Sequence, residues 1–182
     1  MQILGISGSL RANSFHTQLL KAAKELLPGN NSLYTFDLGQ LPLFNQDLEQ
    51  NMPKEVLDFK DAVRKADAIL FASPEYNHSI SGVLKNAIDW ASRPPGDNVF
   101  DGKVAAIVSA STGAFGGIRA QYHLRQIFVY LNVQAVNRPQ IAIPFADQKF
   151  DKAGRLIDEM SRKGLQELLN ALISLYSKMG KG

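Results

Sequence analysis

The sequence predicts an α/β fold with a doubly wound parallel sheet of five strands, and three observations support that prediction. Five apolar segments of strand length alternate with five segments of helical periodicity along the 182 residues. Residues 68–72 and 104–108 are apolar without alternation, which is typical of parallel strands covered on both faces. The first strand passes through a short loop rich in glycine and serine into a helix, so the first two elements form a βα unit.

The predicted elements follow from their apolar spacing and from the residues at their boundaries. The segments predicted as strands are residues 2–7, 32–37, 68–72, 104–108 and 135–143. The segments predicted as helices are residues 14–27, 53–65, 81–91, 117–131 and 151–178. Residues 38–52 are predicted as a loop anchored by the apolar residues 41–44. Pro139 places the fifth strand at the edge of the sheet, because proline has no N–H to donate to a neighbouring strand.

This alternation corresponds to a flavodoxin-like strand order, 2-1-3-4-5. In such a sheet a ligand binds beyond the carboxyl ends of the strands where the order reverses, here strands 1, 3 and 4.

The composition, 45% hydrophobic and 20% charged, is that of one compact domain. Since no linker, repeat or low-complexity segment divides the chain, we expect a single domain over residues 1–182.

Composition excludes several classes of function. The chain has no cysteine, so any redox chemistry would need a bound organic cofactor rather than a thiol or an ordinary iron–sulfur cluster. The three histidines, His16, His78 and His123, lack the spacing of metal ligands; we expect each on a helix surface or in a loop, and predict no metal. A net charge of +3 without blocks of like charge argues against nucleic-acid binding. The chain has neither an apolar run of about 18 residues nor a signal-like N-terminus, which predicts no membrane partner and a cytoplasmic location.

The loop after the first strand has the composition of a phosphate-binding loop. The first N–H groups of a helix and its dipole favour an anion at this position. Arg11 adds a planar, permanently charged fork that suits phosphate oxygens, and the first acidic residue of the chain is Glu25, beyond the first turn of the helix. Short hydrogen-bonding side chains accompany the arginine at Ser7, Ser9, Asn13 and Ser14.

Three other interpretations of this loop compete with phosphate binding. The first is a plain capped helix, with Asn13 or Ser14 as N-cap. The second is a dinucleotide-binding fold, but its Gly-x-Gly-x-x-Gly pattern is missing after Gly5 and Gly8, although Asp37 lies near the position of a ribose-binding acid. The third is a nucleotide-hydrolysing P-loop, which is discarded because no Gly-Lys-Ser/Thr sequence ends the loop.

The loops after strands 3 and 4 complete the predicted site. Residues 73–82 are dense in polar and aromatic side chains, and Pro74 and Tyr76 could pack near a ring. Residues 109–117 contain three glycines, whose N–H groups could face the carbonyl edge of a planar heterocycle. Together with the first loop they predict a planar cofactor that carries a phosphate, and flavin mononucleotide (FMN) fits better than a dinucleotide.

Structural explanations of the same residues remain open at this point. Pro74 could simply shape a turn, and Tyr76 could cover the core. Gly113, Gly116 and Gly117 could serve only the geometry of the loop and the start of the next helix.

Several sequence motifs also carry a family resemblance. These motifs are Gly8-Ser-Leu-Arg11 with Ser14, residues 41–48, Pro74-Glu-Tyr-Asn77, residues 82–90 and the loop 111–117. In this combination the chain resembles the NAD(P)H-dependent FMN reductase family, which includes quinone, chromate and azo-dye reductases. The resemblance spans most of residues 1–131, and the remainder matches only in pattern.

The resemblance implies specific roles for the residues of the three loops. Ser9, Arg11, Ser14 and Phe15 would hold the FMN phosphate. The ribityl chain and ring would be held by Pro74, Glu75, Tyr76 and Asn77, and the pyrimidine edge by Ser111, Gly113 and Gly116. The family also implies NADPH or NADH as co-substrate and a homodimer or homotetramer with each flavin near a subunit boundary. The chain departs from the family at His16, where relatives often have an asparagine that contacts the phosphate.

Two classes of function use this fold: an enzyme that takes hydride from NAD(P)H, and a carrier that passes single electrons between partner proteins. A carrier that docks on basic partners is expected to have an acidic face, whereas this chain is net positive with 17 acidic residues. The net positive charge favours an enzyme that transfers electrons through FMN to a small acceptor. The acceptor would be a quinone, a free flavin, an azo compound or chromate. We expect both substrates to use one site in turn, which is a ping-pong mechanism.

No catalytic side chain is predicted with this function, because the chemistry would reside in the flavin. Glu75 could act as an acid, but a role in shaping the loop is the favoured interpretation. We expect the backbone N–H groups of residues 111–117 to stabilise charge at N1 of the reduced flavin.

Overall fold

A computed structural model describes residues 1–180, and Lys181 and Gly182, the last two residues of the predicted domain, lie outside the described residues. The strands are β1 Gln2–Ser7, β2 Ser32–Phe36, β3 Ala68–Ala72, β4 Val104–Ala110, β5 Gln134–Ala135 and β6 Ile141–Ile143. The helices are α1 Phe15–Leu26, α2 Lys54–Lys65, α3 Gly82–Ala91, α4 Ile118–Leu131 and α5 Glu159–Met179. Among these helices none combines the length and the apolar composition that crossing a membrane requires.

The strands form a parallel sheet in the order β2-β1-β3-β4-β5, and β6 also pairs with β4. Helices α1 and α5 cover one face of the sheet, and α2, α3 and α4 cover the other. On β3, Ile69 and Phe71 pack towards the second group of helices and Leu70 towards the first, so both faces of the strand are buried. The predicted doubly wound, flavodoxin-like sheet is therefore confirmed, with the carboxyl ends of β1, β3 and β4 side by side.

The predicted fifth strand, residues 135–143, is interrupted. It consists of β5 and β6, which pair separately with β4 at the edge of the sheet. Between them the guanidinium of Arg125 donates to the carbonyl oxygen of Val136 at 2.8 Å and to Oδ1 of Asn137 at 3.2 Å. Pro139 has no N–H to contribute to the ladder. The edge position is confirmed, whereas continuous pairing through the segment was wrong.

The predicted start of the last helix, at residue 151, was also wrong. The carboxylate Oδ1 of Asp151 accepts hydrogen bonds from the N–H groups of Ala153 and Arg155, each at 2.9 Å, and this local turn competes with a helix. Asp158 is the N-cap of α5. Its carboxylate accepts the N–H of Ser161 at 2.9 Å, so the helix begins where its first N–H groups find an acceptor.

The predicted loop between β2 and α2 contains two short 3₁₀ helices, Leu38–Gln40 and Gln46–Asn51. The apolar anchors expected between them are present. Leu41 is buried, and the ring of Phe44 packs edge-on against Trp90 with 5.0 Å between the ring centroids. This long connection is thereby attached to the C-terminal part of α3.

Candidate active site

An open cleft lies at the carboxyl ends of β1, β3 and β4, where the strand order predicts a ligand. Eight of the predicted site residues line it: Ser9, Arg11, Ser14, Phe15, Pro74, Glu75, Tyr76 and Ser111. Three predicted residues are not among its lining residues: Asn77, Gly113 and Gly116. Three others line it without having been assigned to the site from the sequence: His16, Ala110 and Thr112.

The first loop of the cleft presents unused N–H donors at the start of α1. Ser14 is the N-cap, and its Oγ accepts the backbone N–H of His16 at 3.2 Å. Within residues 1–180, the N–H groups of Leu10, Ala12 and Asn13 make no hydrogen bond. The capped-helix interpretation is therefore right about Ser14, and the three unpaired N–H groups belong to residues that flank the cleft rather than line it.

Arg11 brings a positive charge to these donors. Its side chain is exposed, and its guanidinium forms neither an ion pair nor a hydrogen bond with another described residue. The first turn of α1 contains no acidic residue. The positive end of the α1 dipole and the guanidinium thus act together on the same side of the cleft.

The start of α4, by contrast, already holds a carboxylate. The Oε2 atom of Glu75 accepts the backbone N–H groups of Arg119 at 2.9 Å and Ala120 at 3.3 Å. Its Oε1 atom pairs with the Arg119 guanidinium at 3.2 Å, and that guanidinium lies 4.3 Å from the centre of the Phe115 ring. Glu75 therefore joins the loop after β3 to the loop after β4, as the loop-shaping interpretation of this residue predicts. Of these two helix ends, the one at α1 is left for a ligand anion.

The loops after β1 and β3 are also locked together. The N–H of Gly8 donates to the carbonyl oxygen of Ala72 at 2.9 Å, and Ser81 Oγ donates to the carbonyl oxygen of Gly8 at 2.6 Å. A Cβ atom at position 8 would lie only 2.8 Å from Cδ of Pro74. Glycine at this position permits the close approach of the two loops.

Tyr76 and Asn77 belong to a tight turn at the outer end of the loop after β3. Tyr76 and Ser79 exchange two backbone hydrogen bonds of 3.0 Å, and the two residues between them, Asn77 and His78, have positive φ. The Tyr76 side chain is 49% exposed beside the cleft, so it does not cover the core. The position of Asn77 is explained by the turn, because asparagine tolerates a positive φ better than most residues.

The loop after β4 is shaped by backbone packing at its second glycine. Gly116 has a φ of +59°, and a Cβ atom there would lie 2.6 Å from the carbonyl carbon of Ala142 on β6. The Gly116 carbonyl oxygen accepts the hydroxyl of Ser109, which in turn accepts Nε2 of the buried Gln121. Loop geometry alone therefore requires Gly116, whereas Gly113 has ordinary space around it. The N–H groups of Thr112 and of residues 114–115 form no hydrogen bond with any described residue and remain available.

His16 is not on a helix surface, and its sequence-based prediction was wrong. The residue is only 6% exposed, and its ring lies between the first loop and the end of β4. Burial, assisted by the nearby charge of Arg11, lowers the pKa of His16 from 6.5 to about 4, so the ring is neutral at pH 7. No local signal distinguishes His16, because its burial depends on Ala110, 94 positions away in the chain.

A flavodoxin-like sheet with an open cleft at its switch point defines the class of flavodoxin-like α/β proteins, which bind their ligands at that place. The profile of the NADPH-dependent FMN reductase family matches residues 1–148, and the chain belongs to that family. It is 49% identical over 173 residues to an NAD(P)H-dependent FMN reductase of Pseudomonas aeruginosa, covering 94% of this chain and 93% of the relative. It is also 49% identical over 180 residues to an NADPH:quinone oxidoreductase of Arabidopsis thaliana, covering 94% of this chain and 90% of the relative.

A solved structure supports the same assignment. The flavoenzyme NAD(P)H:(acceptor) oxidoreductase FerB of Paracoccus denitrificans superposes with a TM-score of 0.90 at 34% identity, covering 98% of each chain. The predicted class is confirmed: the chain is an oxidoreductase whose family uses FMN as cofactor and NADPH or NADH as co-substrate. The electron-carrier alternative is set aside.

Proposed function

We propose that this protein passes two electrons from NADPH or NADH to a small acceptor, in the first place a quinone, by a ping-pong mechanism. When bound, FMN accepts hydride from the nicotinamide and returns the electrons to the acceptor. The balanced reaction converts NAD(P)H, a proton and a quinone into NAD(P)⁺ and a hydroquinone. The choice of acceptor is supported by the Arabidopsis relative and by a 2-hydroxy-1,4-benzoquinone reductase of a Burkholderia species, 41% identical over 170 residues.

The residues of the cleft fit the parts of FMN. The unpaired guanidinium of Arg11 and the start of α1, whose first turn contains no acidic residue, suit a phosphate. Pro74 and the half-exposed Tyr76 offer apolar surface to a ring, and the N–H groups of residues 112 and 114–115 suit its carbonyl-bearing edge. With Ser9, Ser14, Phe15 and Ser111 these residues form the proposed cofactor site.

One observation carries the ping-pong proposal: the anion-binding loop, Tyr76 and the loop after β4 line the same cleft. A nicotinamide and a quinone are both flat rings that must reach the same part of a cofactor held in that cleft, so they would exclude each other. Glu75 is not assigned as a proton donor, because its oxygens accept hydrogen bonds from Arg119 and Ala120. We infer that the one proton consumed in the reaction comes from solvent at the open cleft.

The first prediction is that anaerobic NADPH or NADH bleaches the absorbance of FMN bound to the protein, and that added quinone restores it. Steady-state rates measured against NAD(P)H at several quinone concentrations should give parallel double-reciprocal lines. Intersecting lines would show that both substrates bind together and would contradict the shared cleft. A flavin that neither nicotinamide bleaches would contradict the proposed reaction itself.

The second prediction is that two chains associate through the outer face of α4. Tyr122, Val129 and Tyr130 are exposed along this helix, Tyr130 at 87%, and Phe44 and Arg93 lie beside Tyr130. Closed two-fold dimers are the commonest soluble oligomers, and a tetramer would pair two such dimers. Light scattering at micromolar concentration should therefore give at least twice the mass of one chain.

Tyr130→Glu should shift this assembly towards the single-chain mass, because a carboxylate would be buried in the contact. Met160→Glu is the matched control, since Met160 is 83% exposed on α5, which covers the opposite face of the sheet. A single-chain mass for the unmodified protein, or equal effects of the two substitutions, would refute the α4 contact.

A further inference from the structure

A chain of buried polar groups lies beneath the loop after β4. Gln121, in the first turn of α4, is 0% exposed. Its Nε2 donates to the carbonyl oxygen of Ile141 on β6 at 2.7 Å and to Oγ of Ser109 on β4 at 2.8 Å. Ser109 is also fully buried, and its Oγ donates to the carbonyl oxygen of Gly116 at 2.7 Å. The chain therefore ends on a peptide of the loop that borders the cleft.

The direction of each hydrogen bond in this chain is fixed by its carbonyl groups. The Ile141 carbonyl oxygen can only accept, so the Gln121 atom beside it must belong to the NH₂ group and not be the amide oxygen. The same NH₂ group donates its second hydrogen to Ser109. The hydroxyl hydrogen of Ser109 then goes to the Gly116 carbonyl oxygen, which also can only accept.

The peptide bond between Gly116 and Gly117 depends on this chain for its orientation. Glycine on both sides, at φ of +59° and +85°, imposes little steric preference of its own. Because a trans peptide is planar, its C=O and N–H groups point in opposite directions. Ser109 holds the Gly116 carbonyl oxygen on the buried side, so the N–H of Gly117 points away from Ser109. That N–H forms no hydrogen bond with any described residue.

Gln121 leaves one of its own polar atoms unsatisfied. Its Oε1 is buried and has no hydrogen-bond partner among residues 1–180. An unpaired buried acceptor destabilises a fold about as much as one or two ordinary hydrogen bonds stabilise it. An apolar side chain of the same length would avoid that cost. Stability therefore does not explain the amide at this position, whereas orientation of the loop does.

We propose that Gln121 is a positioning residue for the cofactor, acting through Ser109 on the Gly116–Gly117 peptide. The inference rests on the proposed FMN site, where we expect the N–H groups of this loop to stabilise negative charge on the reduced ring. The inward-turned Gly116 carbonyl keeps its partial negative charge on the core side of the loop, and the N–H dipole points outward. Gln121 thereby favours the reduced cofactor over the oxidised one without contacting it.

The experiment uses Gln121→Met, which keeps the length of the side chain and removes its donors, and Ser109→Ala. It measures the midpoint potential of bound FMN against a reference dye and the dissociation constant of oxidised FMN. We expect either substitution to weaken binding of reduced FMN about tenfold more than binding of oxidised FMN. For a two-electron couple this lowers the potential by about 30 mV. An unchanged potential in Gln121→Met would overturn the assignment.

The double variant tests whether the two residues act as one chain. Because Gln121 acts only through Ser109, the potential of the double variant should equal that of Ser109→Ala alone. Additive shifts would refute transmission through Ser109.

Leu124→Ala is the control for a merely structural effect. Leu124 is fully buried one turn further along α4 and lies outside the polar chain. Its substitution should lower the free energy of unfolding and leave the potential of bound FMN unchanged. A shift equal to that of Gln121→Met would show that Gln121 contributes only to the stability of the fold.

A measurement on the unmodified protein keeps the test valid if a variant does not fold. In hydrogen-exchange NMR with ¹⁵N-labelled glutamine, the side-chain NH₂ of Gln121 should be protected. Exchange as fast as that of the exposed Gln50 would refute the buried chain. If neither nicotinamide bleaches FMN bound to the unmodified protein, the proposed function itself fails. If bleaching occurs and Gln121→Met keeps the potential, only the role of Gln121 fails.

Discussion

Gly116→Ala is expected to reduce the free energy of unfolding by about 2–5 kcal/mol, the sum of a left-handed backbone penalty and an overpacking penalty. Position 116 has a φ of +59°, and the new Cβ would lie 2.6 Å from the carbonyl carbon of Ala142 and 2.7 Å from the nitrogen of Ile143. Both are backbone atoms at β6, and the Ile143 carbonyl oxygen is held by the N–H of Ser111 at 3.0 Å. Relief of the clash must therefore displace the loop after β4, so FMN affinity should fall as well.

Gly113→Ala is the matched control in the same loop. Its Cβ would meet only Ser111 Oγ at 3.6 Å, an ordinary contact. We expect a change in the free energy of unfolding within about 0.5 kcal/mol. Urea unfolding followed by circular dichroism compares the two variants, and equal stabilities would show that the loop can move away from β6 without loss.

Arg11→Ala is expected to weaken FMN binding by tenfold or more, because a charge-assisted hydrogen bond to phosphate contributes about 1.5–3 kcal/mol. Riboflavin affinity should change little, since the guanidinium would face only the phosphate. Arg11→Lys should weaken FMN binding less than Arg11→Ala does, because lysine keeps the positive charge but lacks the planar guanidinium. Quenching of flavin fluorescence during titration gives the dissociation constants of FMN and of riboflavin for the unmodified protein and for both variants.

Arg138→Ala is the control for net charge. Arg138 is exposed in the segment between β5 and β6 and does not line the cleft, so its removal changes the charge by the same amount elsewhere. If Arg11→Ala and Arg138→Ala weaken FMN binding equally, the effect is a general attraction and Arg11 is not a phosphate ligand.

The sheet could be predicted from the sequence because its central strands are buried on both faces. Continuous apolar segments such as residues 68–72 identify such strands locally, and the alternation with helices restricts the connections to one doubly wound order. The interruption between β5 and β6 could not be read in this way. At the interruption the guanidinium of Arg125, which lies outside the segment, donates to the Val136 carbonyl oxygen.

The position of the cleft also followed from the sequence, whereas its anion-binding chemistry stays a prediction. The absence of acidic residues from the first turn of α1, together with Arg11, predicted an anion site in a loop whose free N–H groups the structure then shows. The lack of cysteine pointed to an organic cofactor, which the family confirms.

Tertiary structure alone decided the roles of individual residues within that cleft. Glu75 reaches the start of α4, 44 positions along the chain, and His16 is buried against Ala110, 94 positions away. Gly116 is required because β6 passes against it, which its own loop does not reveal. The sequence by itself determined most of the elements, the order of the strands and the edge of the sheet where the cleft lies, because apolar periodicity and turn residues act over short stretches of chain. Burial, helix capping from a distant loop and steric contact between backbones depend on which segments meet in space, so only the folded chain defines them.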